Sequence, residues 1–172
     1  MSKNILTYLL VILAVATRFA PHPANFTAIG TVALFSGLYL NKKQALGLPL
    51  IAMFISDIFI GFYSPYIMGS VYLGFALTVL LGQYLKNKIQ FGNIVLGAVA
   101  GSAIFFLLTN TAVWAFGTMY THNLFGLFQS YYMALPFWRN ELLGDLFYSG
   151  VLIGGYEMIK NLAPQTNTMT AK

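Results

Sequence analysis

The chain has 172 residues, of which 58% are hydrophobic and only 8% are charged. A soluble domain carries about 25% charged residues, so this composition excludes an ordinary soluble enzyme, a coiled coil and a disordered chain. Cysteine is absent, which excludes disulfides, thiolate metal sites and cysteine nucleophiles. The formal charge of +5 does not indicate nucleic-acid binding, because the basic residues fall between apolar runs. These features predict an all-α integral membrane protein.

Six apolar runs predict six membrane-spanning helices, each of which needs roughly 20 residues. They are 5–20, 26–40, 45–63, 67–85, 94–117 and 137–159. The first run also has the basic start and short apolar core of a signal peptide, but Arg18 and further runs follow it. The segment 118–136 mixes aromatic and polar residues, and we expect a partial helix along the membrane interface. The sequence therefore predicts a compact bundle over residues 1–160 and a polar cytoplasmic tail over residues 161–172.

The distribution of basic residues predicts the orientation of this bundle. If the N-terminus is cytoplasmic, seven lysines are cytoplasmic and only two arginines, Arg18 and Arg139, lie on the outer side. This excess follows the positive-inside rule at every loop. We therefore expect a multi-pass protein of the cell (inner or cytoplasmic) membrane with both termini in the cytoplasm. The first two runs are short, so we expect either that their helices are tilted little or that the loop between them dips into the membrane, where it is shielded by protein or lines a wet cavity.

Polar residues inside the apolar runs indicate where function resides. Arg18, Asp57, Asn110 and Asp145 come from four different runs and are predicted to lie in the outer third, with Glu141 one turn from Asp145. A charge in mid-membrane costs about 2.5–3.5 kcal/mol on insertion scales, so it faces the bundle interior or water. One interpretation is a structural ion pair of Arg18 with Asp57 or Asp145. The favoured one is an outward-facing ligand pocket, because a single ion pair does not require the other polar groups.

Two further segments add candidates to this pocket. In the loop 21–27, two prolines flank His22 and prevent a helix, so the loop is either a ligand-gripping segment that includes Asn25 or a tight turn. Trp114 lies one turn beyond Asn110 and either stacks on a ligand or belongs to the interfacial aromatic belt. The candidate substrate-binding residues are Arg18, His22, Asn25, Asp57, Asn110, Trp114, Arg139, Asn140 and Asp145.

Known catalytic signatures are missing from the sequence. It has no phosphate-binding glycine loop with lysine, no zinc-protease motif and no hydrolase elbow, and its two histidines lack metal-ligand spacing. We therefore predict no cofactor, no metal site and no enzymatic activity. The alternatives are a membrane-embedded enzyme that uses Asp145 and His22, and a structural subunit of a larger membrane complex.

Several stretches carry a family resemblance. RFAPHPANFTAIG (18–30), ALFSG (33–37), SDIFIGFY (56–63), TNTAVW (109–114) and LPFWRN (135–140), followed by Gly144-Asp145, resemble an uncharacterised family of bacterial membrane transport proteins. The resemblance covers about residues 18–154. That family is in turn similar to the substrate-binding S components of energy-coupling factor (ECF) vitamin transporters in size, in its six helices and in its cytoplasmic termini.

This resemblance implies a function and partners. S components capture a vitamin or its precursor in an outer pocket and topple when docked to a transmembrane coupling subunit and two ATPases. An Ala-x-x-x-Ala pair in the first helix carries the docking in that family, and here it matches Ala16 and Ala20. Small residues at this spacing also allow close packing within a bundle. The resemblance therefore implies an S subunit that takes up a vitamin-like micronutrient and relies on partners for ATP hydrolysis.

Overall fold

The fold is entirely helical over the residues that the structure describes. The structure is a computed structural model that describes the backbone of residues 3–162 and the side chains of residues 9–160. The helices are α1 (Lys3–Phe19), α2 (Ile29–Tyr39), α3 (Lys42–Ile60), α4 (Pro65–Leu85), α5 (Phe91–Phe116) and α6 (Leu124–Ser149), and a π-helical turn (Gly150–Gly154) joins α6 to α7 (Gly155–Leu162). Apart from its first two residues, the predicted tail lies outside the described part of the chain. The predicted all-α class is confirmed.

Three helices are long and apolar enough to cross a membrane. They are α3, α4 and α5, whereas the described apolar parts of α1 and α2 are shorter. Side chains on the outside of the bundle remain apolar: Phe59 is 74% exposed and Phe91 is 84% exposed. A lipid environment would cover these side chains, so the structure agrees with membrane association.

α2 forms the centre of the bundle. It contacts α1, α3, α4, α5 and α6, and nine of its 11 residues are buried. A helix that is apolar on all sides belongs in a core. Its backbone comes very close to that of α4, because a Cβ on Gly82 would lie 3.0 Å from the Cα of Gly37. Glycine at both positions is therefore what allows α2 to reach this central place.

α2 alone is shorter than the membrane is thick, so the loop before it would have to provide the rest of any crossing. Its 11 residues extend over about 16 Å, roughly half of the ~30 Å hydrocarbon core. Phe26 to Ala28, which the sequence predicts as helix, instead belong to a tight loop, in which the Phe26 amide donates to the carbonyl of Pro23 at 2.9 Å. Asn25 has a φ of 67°, a conformation that asparagine tolerates better than most residues. The space on the N-terminal side of the first turn of α2 is consequently not filled by helix.

α6 corrects the predicted boundaries at the C-terminal end of the bundle. The sequence predicted an interfacial segment up to residue 136 and a new helix from residue 137, but α6 runs without a break from Leu124 through Pro136. Contacts with α5 on both sides of the proline hold it there: the Thr111 and Tyr131 hydroxyls are 2.6 Å apart, and the Trp138 Nε1 donates to Ser102 Oγ at 2.8 Å. As a result, Asp145 lies about 31 Å along the helix from its start, rather than the about 13 Å that the predicted boundary implied.

Candidate functional site

A cavity of about 310 Å³ lies at the N-terminal end of α2. Its wall is built from α1, the loop that follows it, and each of the helices α2 to α6. The polar residues that line it from α1, this loop and α6 are Arg18, His22, Asn25, Thr27, Glu141 and Asp145. The cavity therefore occupies the space that the short α2 leaves unfilled.

Arg18 is held in the wall of this cavity by an ion pair with Asp57. Arg18 Nη1 lies 2.8 Å from Asp57 Oδ1, and it also donates to Ser56 and to the Met53 carbonyl. The Tyr72 hydroxyl donates to Asp57 Oδ2 at 3.0 Å, so both oxygens of this fully buried carboxylate are satisfied. Of the two carboxylates that the sequence offers to Arg18, the structure selects Asp57. Asp57 does not line the cavity itself but positions Arg18 and compensates its charge.

The guanidinium of Arg18 has N–H groups that these hydrogen bonds do not use. All its hydrogen bonds to residues 9–160 go through Nη1, which leaves Nε and Nη2 without a partner in that range. The Arg18 side chain is 17% exposed and lines the cavity. It can therefore donate hydrogen bonds to a ligand without giving up its ion pair.

The carboxylate of Asp145 lies against the first turn of α2. A Cβ at Gly30 would lie 2.7 Å from Asp145 Oδ2, which is too close for any real contact, so only glycine leaves room for this side chain. The Thr31 hydroxyl donates to the backbone carbonyl of Asp145 at 3.0 Å and fixes α6 at this level. A carboxylate at a helix N-terminus is favourable because the first N–H groups carry partial positive charge. Asp145 is only 5% exposed.

Glu141 presents a second carboxylate to the same cavity. It precedes Asp145 by one helical turn, so the two side chains lie on one face of α6. Within residues 9–160, neither carboxylate forms an ion pair with a lysine or arginine. The sequence placed Glu141 near the site but did not include it among the binding residues.

Aromatic side chains form another part of the wall. Phe75 of α4 and Phe105 of α5 line the cavity with ring centroids 4.8 Å apart, and Tyr63 lines it from the loop between α3 and α4. Gly74 allows Phe105 to come this close, because a Cβ there would lie 3.0 Å from the phenylalanine ring. Sequence reasoning missed these residues, because a phenylalanine in an apolar run gives no signal that separates a pocket wall from core or lipid contact.

The loop 21–27 is fixed in place beside the cavity. The Ala28 amide donates to Thr17 Oγ1 at 3.2 Å, which ties the end of the loop to α1. His22 Nδ1 lies 2.7 Å from the Pro23 carbonyl oxygen, and because a carbonyl only accepts, the ring donates its Nδ1 proton to it. The loop is thus a tight turn that also lines the cavity, and its role in gripping a ligand stays a prediction.

Besides Asp57, four of the sequence candidates do not line this cavity. Asn110 Nδ2 donates to the Phe106 carbonyl of its own helix, and Trp114 Nε1 donates to the Thr121 carbonyl at 3.0 Å. The backbone carbonyl of Asn110 accepts a hydrogen bond from Ser130 Oγ, and Ser130 precedes Asp145 by about 22 Å along α6. The other two candidates on α6 outside the lining set are Arg139 and Asn140. The predicted single cluster assumed that α6 starts near residue 137. Its earlier start separates Asn110 and Trp114 from Asp145, whereas Arg139 and Asn140 precede Asp145 by less than two turns of the same helix.

Two further predictions concern a docking surface at Ala16 and Ala20 and the expected lack of a metal site. Ala16 and Ala20 are both exposed, so the described part of the bundle does not cover them. Among the described residues, no group of three or more histidine, aspartate or glutamate side chains could hold a metal ion.

Comparison with known proteins gives one positive result. The model of a family of unknown function, DUF6580, matches residues 1–166. Comparison with curated proteins and with solved structures gives no match. Interpretation of the cavity therefore depends on its own geometry.

Proposed function

Because the chain belongs to DUF6580, a family of unknown function, we propose its function from the cavity: the protein is a membrane protein that binds a small vitamin-like micronutrient for uptake. The observation that carries this proposal is the cavity at the N-terminal end of α2, which brings an arginine, two carboxylates and an aromatic wall together inside an otherwise apolar bundle. Ligand sites are typically concave, largely apolar and equipped with a few well-placed polar groups.

We further propose that the chain crosses the cell membrane six times with both termini in the cytoplasm. α3 begins with Lys42 and Lys43, the turn after α4 carries Lys86 and Lys88, and Lys160 lies in α7. In a six-span topology all these lysines fall at the same end of the bundle, and this excess of positive charge supports a cytoplasmic position for that end. The cavity then opens toward the outer side, because α1 ends and α2 begins there.

The natural absence of cysteine makes this topology directly testable. A single Thr118→Cys, in the turn between α5 and α6, should react with an impermeant maleimide on intact cells. A single Asn87→Cys, in the turn between α4 and α5, should react only after the cells are broken. The opposite labelling pattern, or equal labelling of both cysteines, would contradict the six-span orientation.

We propose that the exposed Ala16 and Ala20 dock a transmembrane coupling subunit that works with ATPases, as in the S components that the sequence resembles. Their exposure supports this, because docking residues must be free of intramolecular contacts. Replacing both with leucine should abolish co-purification of such subunits and leave ligand retention in the cavity intact. Undiminished co-purification would remove these residues from the docking surface.

Native mass spectrometry of the protein, purified in mild detergent from its own cells, tests the binding function itself. The expected result is a bound small molecule that leaves on activation in the gas phase, with coupling and ATPase subunits in the larger complexes. A protein that is consistently empty, yet co-purifies with other membrane subunits, would contradict ligand binding and indicate a structural subunit instead.

A further inference from the structure

The charges around the cavity do not cancel. Arg18 is already compensated by Asp57, which lies behind it and accepts its hydrogen bond at 2.8 Å. Glu141 and Asp145 remain, and no lysine or arginine in residues 9–160 pairs with them. His22 is the only other ionisable side chain with a basic group among the lining residues. The formal charge presented to a ligand is therefore negative, although the chain as a whole carries +5.

The position of the two carboxylates makes this imbalance costly without a ligand. Asp145 is 5% exposed and packs against Gly30, so water has little access to it. Like charges four residues apart on a helix repel each other. A buried carboxylate is normally paired with a cation or neutralised by a proton, because its desolvation otherwise carries a large penalty. A cation between Glu141 and Asp145 would remove both the repulsion and the penalty.

The aromatic wall supports the same ligand chemistry by independent means. The rings of Phe75 and Phe105 line the cavity, and their centroids are 4.8 Å apart. Tyr63 adds a third ring to the lining. Aromatic faces attract cations through their quadrupole and also pack against flat apolar groups. The volume of about 310 Å³ is at the lower end of the range for ligand pockets, which restricts the ligand to a small molecule.

We propose that the ligand is a small organic cation whose positively charged nitrogen lies at Glu141 and Asp145 and whose apolar part lies against Phe75 and Phe105. This inference rests on the proposed binding function and specifies its substrate class. The free Nε and Nη2 of Arg18 then face the opposite part of the ligand, where they donate to a hydroxyl, carbonyl or other acceptor. Arg18 is consequently a hydrogen-bond donor to the ligand rather than the counter-ion of an anionic one.

The test asks two separate questions: whether any small molecule binds to the protein, and which charge the bound molecule carries. A small-molecule extract of the cells that make the protein is divided by ion exchange into cationic, neutral and anionic fractions. Each fraction is added to the ligand-depleted protein in detergent, and the shift in thermal unfolding is measured over a dilution series. The variants are Glu141→Gln and Asp145→Asn, which keep the side-chain shape and remove one charge each. Glu157→Gln in α7 is the matched control, because that carboxylate bonds to Tyr39 and lies outside the cavity lining.

The expected result is stabilisation by the cationic fraction alone. Loss of one partner of a desolvated charge pair weakens binding about thirtyfold or more, so Glu141→Gln and Asp145→Asn should need that much more of the fraction for the same shift. Glu157→Gln should respond as the wild type does. Either cavity variant suffices for this comparison if the other does not fold.

Each other outcome overturns a specific statement. Stabilisation by the neutral or anionic fraction would contradict the cationic ligand and leave the binding function standing. An equal response of wild type and both cavity variants to the cationic fraction would remove the carboxylates from the site. If no fraction stabilises the wild type, the proposed binding function fails together with this inference.

Discussion

Two regions of the molecule gather polar side chains among apolar ones, and they differ in how those side chains are satisfied. At the end of the α5–α6 hairpin (residues 107–132), several hydroxyls, the Asn110 amide and the Trp114 indole bond to one another or to nearby carbonyls, as Trp114 does to Thr121 and Thr111 does to Tyr131. Around the cavity, two carboxylates have no lysine or arginine partner within residues 9–160, and the guanidinium of Arg18 uses only Nη1. In the first region the polar groups use one another as partners, whereas in the second they leave charged groups that a ligand can contact.

This difference shows how to interpret a polar residue in an apolar helix. Because hydrocarbon offers no hydrogen bonds, each such residue must find a partner and is a functional candidate by default. Position in the sequence does not say whether the partner is another part of the chain. Asn110 and Asp145 look alike in the sequence, but Asn110 bonds to a carbonyl of its own helix and Asp145 faces a cavity.

The largest expected effect comes from breaking the ion pair that positions Arg18. Asp57→Ala leaves a partly buried guanidinium without its counter-ion, and loss of one partner of a buried pair costs about 3–5 kcal/mol. We expect this loss in the free energy of unfolding, measured by denaturant titration in detergent. The double variant Asp57→Leu with Arg18→Met removes both charges and should recover most of the stability. A single variant as stable as the wild type would contradict the structural part of the comparison.

A smaller effect is expected where glycine makes room for the cavity carboxylate. Gly30→Ala places a methyl group on the Asp145 carboxylate, and overpacking of this kind costs about 1–3 kcal/mol. Ligand retention, measured by native mass spectrometry, should fall together with the melting temperature because Asp145 must move. Gly69→Ala is the control, since a Cβ there meets no atom within 4 Å. Full ligand retention in Gly30→Ala would show that the position of Asp145 is not critical for binding.

The smallest effects are expected at the end of the α5–α6 hairpin. Asn110→Ala and Trp114→Phe each remove a side-chain hydrogen bond, which contributes about 1 kcal/mol to stability. Both variants should retain the ligand as the wild type does, because neither residue lines the cavity. Loss of the ligand in Trp114→Phe without loss of stability would restore the stacking role that the sequence suggested and break the comparison.

The sequence was sufficient for the helical class and for much of the cavity. Helix bounds follow from long apolar runs, and the proline-rich loop identified His22 and Asn25, which line the cavity with Arg18 and Asp145. The start of α6 was not predictable, because Pro136 marks a helix boundary in most contexts and only the contacts with α5 carry the helix through it. Because α6 begins at Leu124 and not near residue 137, Asn110 and Trp114 lie far from Asp145 and not beside it as predicted.

Other parts of the site depend on which helices are neighbours. The place of Phe75 and Phe105 in the wall follows from the packing of α4 on α5 through Gly74, and periodicity in either helix does not reveal it. Likewise, Gly30 is one of 16 glycines in the chain, and its role appears only once Asp145 is placed against it.

The most direct test of the comparison is an experimental structure of the protein purified with its own small molecule. The account predicts density for a small ligand in the cavity at the N-terminal end of α2, with a nitrogen at Glu141 and Asp145 and its flat part against Phe105. Density instead at the end of the α5–α6 hairpin, beside Trp114 and Asn110, would contradict the account and show that the self-satisfied region is the binding site.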